Sequence, residues 1–529
     1  MIHKHKQYYF QHFKDDLPAG IVVFLVALPL CLGIALASGA PLFSGLIAGV
    51  VGGLVVAWLS GSQLSVSGPA AGLTVIVFNA IETLGSFQAL LLAGVMAGVI
   101  QLTLGYLRAG IIGAFFPVAV IKGMLAAIGL ILIIKQIPHA TGYDNKHHSG
   151  FYGDESYMEE TAQAAMMDVF DAMGALSPSC IAISSVALIT LIIWESSWVK
   201  KQAVLKLIPG PLLAVIWGVG FNRAALQWLP EWAVPDAHRV NLPLSNSPAD
   251  FFANFMLPDF TQLANPQIYI VAATLAIIAS LETLLSLEAT DKLDPLKRLA
   301  PTNRELKAQG VGNIISGLLG GLPMTAVIVR SSANINAGGK TRVACFVHGV
   351  LLLLSVMFLA RYLNEIPLAC LSAILLHTGY KLAKPKLFIE HFHKGYSQFL
   401  PFVITIIAIL LTDLLIGMAI GMAIGLFFVI KANYHTAISL IQQGSHYTLV
   451  MNKDVSFINK ALLRKLILRI PENSTVTIDA SRAEFIDHDI LETIEDFLES
   501  APDSAISIEI IDLYGKEQFK NPETIVVVP

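Results

Sequence analysis

Arg330 lies within residues 317–341, a stretch that is apolar enough to be at membrane depth. Glycines and Pro323 interrupt the stretch, and because proline lacks a backbone N–H, a helix can begin at Pro323 but should not run through it. A helix that begins inside a membrane directs unpaired N–H groups at whatever faces its tip. We therefore predict an anion site at this tip. Arg330, about 10 Å further along, supports the site rather than anchoring the helix at the membrane surface.

Glu282 is an acidic residue in a second apolar segment, and Ser286 follows it one helical turn later on the same face. A carboxyl group at membrane depth is costly unless it binds a cation, carries a proton or forms a pair. Two oxygen ligands suit a hard cation but are too few alone, so backbone carbonyls of the interrupted stretch would complete the shell. Two interpretations stay open: Glu282 couples a cation to anion uptake, or it forms a structural ion pair with Arg330.

The composition is that of a membrane protein with some soluble mass attached. Of 529 residues, 55% are hydrophobic and 14% are charged, whereas soluble domains carry about 25% charged residues. The net charge is −4 and no basic tract is present, which argues against nucleic-acid binding. The four cysteines lie in apolar runs without metal-ligand spacing and are predicted to be core residues.

The sequence contains no arrangement of residues typical of an enzyme. There is no HExxH motif, P-loop or Ser/His/Asp pattern, so we predict neither catalysis nor a bound cofactor, apart from a possible Na⁺ at Glu282. His377 is expected to be an interior histidine with satisfied ring nitrogens rather than a metal ligand.

Apolar segments of nearly spanning length occur throughout residues 19–435, which we assign to a transmembrane transport domain. Residues 1–18 are predicted to be a cytoplasmic segment. Lysine and arginine concentrate in alternate loops, which places both chain ends in the cytoplasm of a multi-pass plasma-membrane protein; the large predicted outer loop, 138–176, is acidic. About fourteen segments are predicted, starting near residues 19, 42, 64, 86, 111, 177, 209, 267, 304, 323, 341, 366, 396 and 413.

Two of these segments, the third and the tenth, are interrupted in the same way. Pro69 follows Gly68 and precedes small residues and a short apolar run, and Pro323 has a matching context about half the chain length away. Such a pair of Gly/Pro-interrupted spans points to a transporter site built on an inverted repeat. The alternative is that both are glycine-rich packing helices, which are common in membranes.

Residues 445–529 differ from the rest of the chain. Strand patterns at 447–451, 475–479 and 504–511 and helical apolar spacing at 489–499 predict a small cytoplasmic α/β domain. The domains that this part resembles carry a phosphorylatable Ser or Thr in the turn before the helix; this chain has His488 and Asp489 there, so a phosphorylation switch is not expected.

Several motifs make the chain similar to the sulfate permease (SulP) family of inorganic anion transporters. They cover most of the membrane part in the family's order: Ala27-Leu-Pro-Leu30, Gly68-Pro-Ala-Ala71, Asn303-Arg-Glu-Leu306, Gly310-Val-Gly-Asn313, Gly320-Gly-Leu-Pro323, Arg330-Ser-Ser-Ala-Asn334 and Ala337-Gly-Gly339. The carboxy-terminal part resembles a shortened STAS domain. The resemblance implies two inverted repeats of seven helices, with a core domain (spans 1–4 and 8–11) that moves against a gate domain (spans 5–7 and 12–14), within a homodimer.

The resemblance also implies where ions bind. The family's anion site lies between the tips of spans 3 and 10, which corresponds here to Ala70, Ala71, Met324, Thr325 and Arg330. In bicarbonate-transporting members, an acidic residue at the position of Glu282 and a hydroxyl at that of Ser286 hold sodium. Leu30 replaces a polar residue that some members carry, so anion selectivity does not transfer.

These observations predict a secondary active transporter in the lipid bilayer that takes up a small inorganic anion by alternating access. Cation-coupled uptake, with Na⁺ or H⁺, of bicarbonate or of sulfate fits best. The alternatives are an anion exchanger or channel of the same fold, or a nucleobase permease. A nucleobase permease would be expected to present carboxylates or amides from spans 8 and 10, and Arg330 in span 10 argues against it.

Overall fold

The computed structural model describes residues 12–111, 117–143, 176–202, 208–244, 253–412 and 414–513. The chain forms two compact units, residues 1–422 and 423–529. Most of the predicted acidic outer loop, residues 144–175, lies outside the described residues. Within the described residues, the first unit is helical apart from a pair of very short strands and irregular connections, and the second is a small α/β unit.

Fourteen helices in the described part of the chain correspond to the predicted spans, although not all of them are apolar. Six are long and apolar enough to cross a membrane by length and composition, and four shorter ones are also apolar. Their bounds are α1 Phe13–Ala37, α2 Leu42–Leu59, α3 Thr74–Leu84, α4 Phe87–Tyr106, α5 Val118–Thr141, α6 Pro178–Trp194, α7 Gly210–Trp228, α8 Pro266–Leu293, α9 Thr302–Leu318, α10 Ile328–Asn336, α11 Val343–Phe358, α12 Leu368–Leu382, α13 Tyr396–Leu411 and α14 Leu414–Thr436.

Local sequence explains several of the helix ends. Helix α3 ends at Gly85 and α5 at Gly142, both with positive φ, the left-handed conformation that glycine adopts most readily. Helix α4 begins after Ser86, whose hydroxyl accepts a hydrogen bond from the N–H of Ala89. Pro178 opens α6, where its missing N–H costs nothing.

The first helix begins six residues before the predicted start of span 1. Phe13 to Pro18 belong to the predicted cytoplasmic segment and are helical, and Asp16 among them is fixed by the chain just before α11. The buried Asp16 carboxylate accepts hydrogen bonds from the N–H groups of Lys340 (2.7 Å) and Thr341 (3.0 Å) and from the Thr341 hydroxyl. A polar residue thereby extends the helix beyond its apolar part.

Spans 3 and 10 are both broken, as predicted, but their helices begin later than the prolines. Strand β1, Ser67–Pro69, pairs in antiparallel register with strand β2, Met324–Ala326. A short 3-10 turn, Ala71–Leu73, leads from β1 into α3. The prediction that a helix starts at Pro323 is wrong, because the three residues after it pair with the other broken span, and α10 begins only at Ile328.

Close contacts between glycines bring pairs of membrane helices together. A Cβ atom at Gly98 of α4 would lie 2.7 Å from the carbonyl oxygen of Gly310 in α9, and the reverse distance is also 2.7 Å. The same reciprocal contact joins Gly129 of α5 to Gly379 of α12, at 2.6 and 2.7 Å. Small residues let membrane helices approach to backbone contact, so these glycines fix the two crossings.

The second unit is built on a four-stranded sheet in the order β3-β4-β5-β6. Strands β3, Ile438–Gln443, and β4, His446–Met451, form a hairpin; β5, Thr475–Asp479, and β6, Ser507–Ile511, extend the sheet in parallel. Helices α15, Lys460–Ile467, and α16, His488–Ser500, lie between strands in the sequence and cover an apolar core that includes Leu449, Val476 and Ile490. The predicted strands and helix are found close to their expected positions, and β3 lies outside the predicted range of 445–529.

Candidate anion and cation sites

The tip of α10 presents backbone N–H groups that the helix itself does not use. The first helical hydrogen bond runs from the N–H of Ser331 to the carbonyl of Val327, at 3.0 Å. The N–H groups of residues 328–330 therefore have no acceptor within the helix. They carry the partial positive charge of the helix start, which favours an anion at this point.

Arg330 is the third residue of α10 and is completely buried. It is thus much closer to the helix tip than the predicted separation of about 10 Å, because the helix begins after β2 rather than at Pro323. Its Nη2 donates a hydrogen bond to the carbonyl of Pro69 at 3.1 Å. Its Nε and Nη1 have no hydrogen-bond acceptor in the described part of the chain. A buried cation with unused donors is costly, and an oxyanion would relieve that cost. The burial of Arg330 rules out a role as a surface anchor.

Polar side chains of α10 hold the chain that leads into β1. The hydroxyl of Ser331 accepts a hydrogen bond from the N–H of Val66 at 3.0 Å, and the amide of Asn334 donates one to the carbonyl of Leu64 at 3.1 Å. The N–H of Val327 donates to the carbonyl of Val66 at 2.9 Å. One broken span is therefore positioned by the side chains of the other.

Helix α9 supports the two strands from the other side. Asn313 accepts a hydrogen bond from the N–H of Met324 at 2.7 Å and donates one to its carbonyl at 3.1 Å. One turn earlier, Gln309 donates to the hydroxyl of Ser67 at 2.7 Å. We did not identify these two amides as site residues from the sequence, although their spacing of four residues places them on one helix face.

The structure brings only part of the predicted anion site together. Ala71 and Arg330 line one cavity of about 550 Å³. Ala70 is buried. Met324 uses its N–H on Asn313, and Thr325 is paired with Gly68 in the strand ladder. The backbone groups of Met324 and Thr325 are thus occupied by scaffold contacts, and the unused amides at the α10 tip belong to residues 328–330.

The cavity is lined mainly by α1, α6, α10 and α12. Leu30 of α1 contributes an apolar wall. Beside Arg330, the polar and charged lining includes Glu195, His377 and Lys381. Ions can therefore meet charged groups both at the α10 tip and on α6 and α12.

The carboxylate of Glu282 lies against the start of span 3. The N–H of Gly72 donates a hydrogen bond to it, and a Cβ atom at Gly72 would lie 2.6 Å from both carboxylate oxygens. Glu282 Oε2 is shielded and, among the described residues, has no hydrogen-bond partner. One turn later, Ser286 is buried on the same helix.

Glu282 does not form an ion pair with Arg330, although both residues are described. The carboxylate meets Gly72, whereas the guanidinium meets Pro69. The alternative of a structural Glu282–Arg330 pair is therefore wrong. The neighbouring Thr283 hydroxyl accepts a hydrogen bond from the N–H of Ala326 at 3.3 Å, which ties α8 to β2. An orphaned carboxylate oxygen and a buried hydroxyl are the donor chemistry that suits a small hard cation.

Two short helices that follow a pair of bonded strands within an apolar bundle, with a cationic side chain at one tip, are the arrangement expected of a membrane transporter built on an inverted repeat. The chain belongs to the sulfate permease family, whose family model matches residues 13–429.

Relatives in this family are named as transporters of inorganic anions. The chain is 29% identical over 382 residues to the putative sulfate transporter YvdB of Bacillus subtilis, covering 72% of this chain and 67% of the relative. It is 26% identical over 381 residues to the bicarbonate transporter BicA of Picosynechococcus, covering 70% of this chain and 62% of the relative. The chain therefore spans about two thirds of the length of these relatives. Their names agree with the predicted transporter and not with an enzyme.

Two solved structures share the fold. The transmembrane domain of a cyanobacterial BicA superposes with a TM-score of 0.65 at 22% identity, covering 77% of this chain and 98% of that one. The structure of SLC26A9 superposes with a TM-score of 0.77 at 14% identity, covering 96% of this chain and 86% of that one. These matches confirm the predicted fold class of the membrane part, and a small carboxy-terminal sheet fits a STAS-like domain.

Proposed function

We propose that this chain is a secondary active transporter that moves bicarbonate or sulfate across the membrane together with a cation. The observation that carries the proposal is Arg330, a fully buried arginine with two unused nitrogens. It lies at the tip of a half-helix whose first N–H groups have no acceptor within the helix. Amide dipoles and a guanidinium complement a small oxyanion without requiring a metal.

The anion is bound between the start of α10 and the start of span 3. Ala71 and the N–H groups of Ile328 and Val329 face it, and Arg330 balances its charge. The lining of the cavity by Ala71, Val329 and Arg330 supports this arrangement. Ala70, Met324 and Thr325 then act as the scaffold beneath the site rather than as its ligands.

The coupled cation is bound at Glu282. Its free Oε2 and the Ser286 hydroxyl supply two oxygen ligands, and carbonyls of the broken span 10 complete the shell. Sodium is the first candidate, and a proton carried by the Glu282 carboxyl group is the second. When the cation binds, it neutralises the carboxylate and so favours the arrival of an anion nearby.

Uptake into proteoliposomes tests this function. Purified protein is reconstituted, and uptake of labelled bicarbonate and of labelled sulfate is measured with an inward sodium gradient, an inward proton gradient or neither. We expect concentrative uptake of at least one anion that requires one of the two gradients. Uptake that only equilibrates the anion would indicate a channel, and strict dependence on a counter-anion inside would indicate an exchanger. Uptake of a labelled nucleobase and of neither anion would overturn the proposal.

We further propose that the protein is a homodimer in the plasma membrane with both termini in the cytoplasm. The alternation of Lys- and Arg-rich loops supports the orientation. The native cysteines are buried, so a cysteine added at either terminus can be labelled selectively. An impermeant maleimide should label it only after the membrane is permeabilised. Light scattering on the full chain, and on one that ends before Ile438, measures the assembly and the contribution of the carboxy-terminal unit to it.

A further inference from the structure

A second group of charged side chains lines the cavity that contains Arg330. Glu195 directly follows α6, and His377 and Lys381 are one turn apart on α12. A spacing of four residues places the two on one helix face, so both reach the same carboxylate. His377 Nε2 lies 3.1 Å and Lys381 Nζ lies 3.3 Å from Glu195 Oε2. The Nε2 of His377 therefore has a partner, and both residues line the cavity that contains Arg330.

The cluster is partly shielded from solvent. The exposed fractions of the side chains are 11% for His377, 33% for Glu195 and 34% for Lys381. Charges at such a place interact more strongly than on an open surface, but they still exchange partners with ions from solution. The Glu195 carboxylate can therefore separate from His377 and Lys381 and be solvated by water instead of being buried without a partner.

The chemistry of this cluster matches that of the proposed substrate. One carboxylate oxygen is held by a lysine ammonium and by an imidazole, which are also donors that bind small oxyanions. The carboxylate of Glu195 thus occupies a position whose donors would also suit bicarbonate or sulfate. The same cavity leads to Arg330, whose remaining donors are unused.

We propose that Lys381 and His377 form a second anion-binding station in this cavity, at which the transported oxyanion displaces the carboxylate of Glu195. This inference rests on the proposed function and adds a step to it. The anion exchanges with Glu195 at the station and then moves on to Arg330, while Glu195 turns to solvent and later returns. Glu195 therefore competes with the substrate and keeps Lys381 neutralised when no anion is present.

Transport kinetics from each side of the membrane test the station. Half-saturating concentrations of sulfate and bicarbonate are measured separately for the two faces. Lys381→Met removes a charged donor. On the membrane face to which this cavity opens, it should raise the half-saturating anion concentration about fivefold. On the opposite face, that concentration should stay within about twofold of wild type. Glu195→Gln should lower the half-saturating concentration on the face to which the cavity opens about threefold, because the competing anion is gone. Lys381→Arg keeps the charge and should stay close to wild type.

Lys386→Met is the matched control, since Lys386 is exposed, pairs with Glu390 and does not line the cavity. Equal effects of Lys381→Met and Lys386→Met, or a rise in half-saturation in Glu195→Gln, would overturn the station. So would equal changes on both faces of the membrane.

A binding measurement separates the station from the proposed function. Stabilisation of the purified protein against heat is titrated with sulfate and with bicarbonate, since a ligand that binds only the folded state stabilises it by RT ln(1 + [L]/Kd) and so raises the unfolding temperature. Arg330→Gln should transport both anions only at much higher concentrations and yet keep part of the stabilisation, and adding Lys381→Met should remove the rest. If Arg330→Gln alone removes all stabilisation while Lys381→Met matches wild type, the station is refuted and the proposed function stands. If the wild-type protein neither transports nor is stabilised by either anion, both are refuted.

Discussion

The two broken spans use the same backbone device but carry opposite charges at their tips. Helix α3 has no charged side chain in its first two turns, and the carboxylate of Glu282 meets it at Gly72. Helix α10 carries Arg330 as its own third residue, with no carboxylate paired to it in the part of the chain that the structure describes. Each tip is positive through its free N–H groups. The positive end of α3 is already balanced by Glu282, whereas that of α10 is reinforced by Arg330.

This difference indicates how an inverted repeat can bind an anion at one tip and a cation at the other. Strands β1 and β2 are paired, so the two tips are fixed side by side. The sequence around the α3 tip is apolar, and the charge beside it comes from Glu282 on the neighbouring helix α8. The α10 tip carries its own charged residue, Arg330. An anion is therefore expected at α10 and a cation beside α3, and the two ions partly neutralise each other during transport.

The largest effect is expected when the positive tip loses its charge. Arg330→Gln should raise the half-saturating anion concentration at least about thirtyfold, because the loss of a buried charged partner costs about 2–5 kcal/mol. Uptake of labelled bicarbonate and sulfate into proteoliposomes measures it. The control is Arg361→Gln, on an exposed residue of the short helix Ala360–Leu363. A half-saturating anion concentration close to that of wild type in Arg330→Gln would contradict the assignment of the anion to the α10 tip.

The next largest effect is expected at the other tip. Glu282→Gln should abolish the dependence of uptake on the driving cation and lower concentrative uptake about tenfold, because the neutral amide neither binds sodium nor releases a proton. Glu288→Gln on the same helix is the control, since Glu288 is exposed and pairs with Lys292. Full cation dependence in Glu282→Gln would show that the coupling ion binds elsewhere.

A smaller change is expected from steric pressure on the carboxylate. Gly72→Ala places a methyl group 2.6 Å from the Glu282 oxygens, so the carboxylate must move. The half-saturating concentration of the driving cation should rise about tenfold, corresponding to ~1.4 kcal/mol, while that of the anion changes little. Gly220→Ala serves as the control, because nothing lies within 4 Å of a Cβ at that position. Equal changes for both ions would mean that the tips do not act separately.

The smallest effect is expected where α1 is tied to the chain between α10 and α11. Asp16→Asn weakens the hydrogen bonds to Lys340 and Thr341 and should cost about 1–2 kcal/mol of stability, seen as a lower temperature of thermal unfolding. Half-saturation for the anion should stay within about twofold, since this contact lies outside the cavity lining. A large change in anion affinity would mean that the tie also positions the α10 tip. Asp15→Asn is the control: Asp15 lies next to Asp16 but is more exposed and pairs with Lys340.

The sequence predicted the number and order of the spans well because their signal is local. Apolar runs mark most of the helices, a serine cap or a glycine stop marks a few, and most helices begin within a few residues of the expected position. The starts of helices α1 and α10 differ from the prediction because contacts with residues far away in the sequence determine them. Asp16 extends α1 through hydrogen bonds to residues more than 300 positions away, and β2 delays α10 because it pairs with β1.

The site was predicted in part for the same reason. Arg330 and Glu282 were identified because a charge in an apolar run is conspicuous, but their partners could not be read from the sequence. The expectation that the two might pair was wrong, since each meets a backbone group of span 3 instead. Glu195 and Lys381 were missed because they lie at helix ends, where charged residues are ordinary.

Anion binding by the two charge variants tests the separation of the tips most directly. Bicarbonate or sulfate, whichever the wild-type protein transports, is titrated against the thermal unfolding of wild type, Arg330→Gln and Glu282→Gln without sodium. We expect Glu282→Gln to require no more anion than wild type, because its side chain is already neutral, and Arg330→Gln to require at least about ten times more. Equal losses in the two variants, or no loss in Arg330→Gln, would contradict the assignment of the anion to the α10 tip.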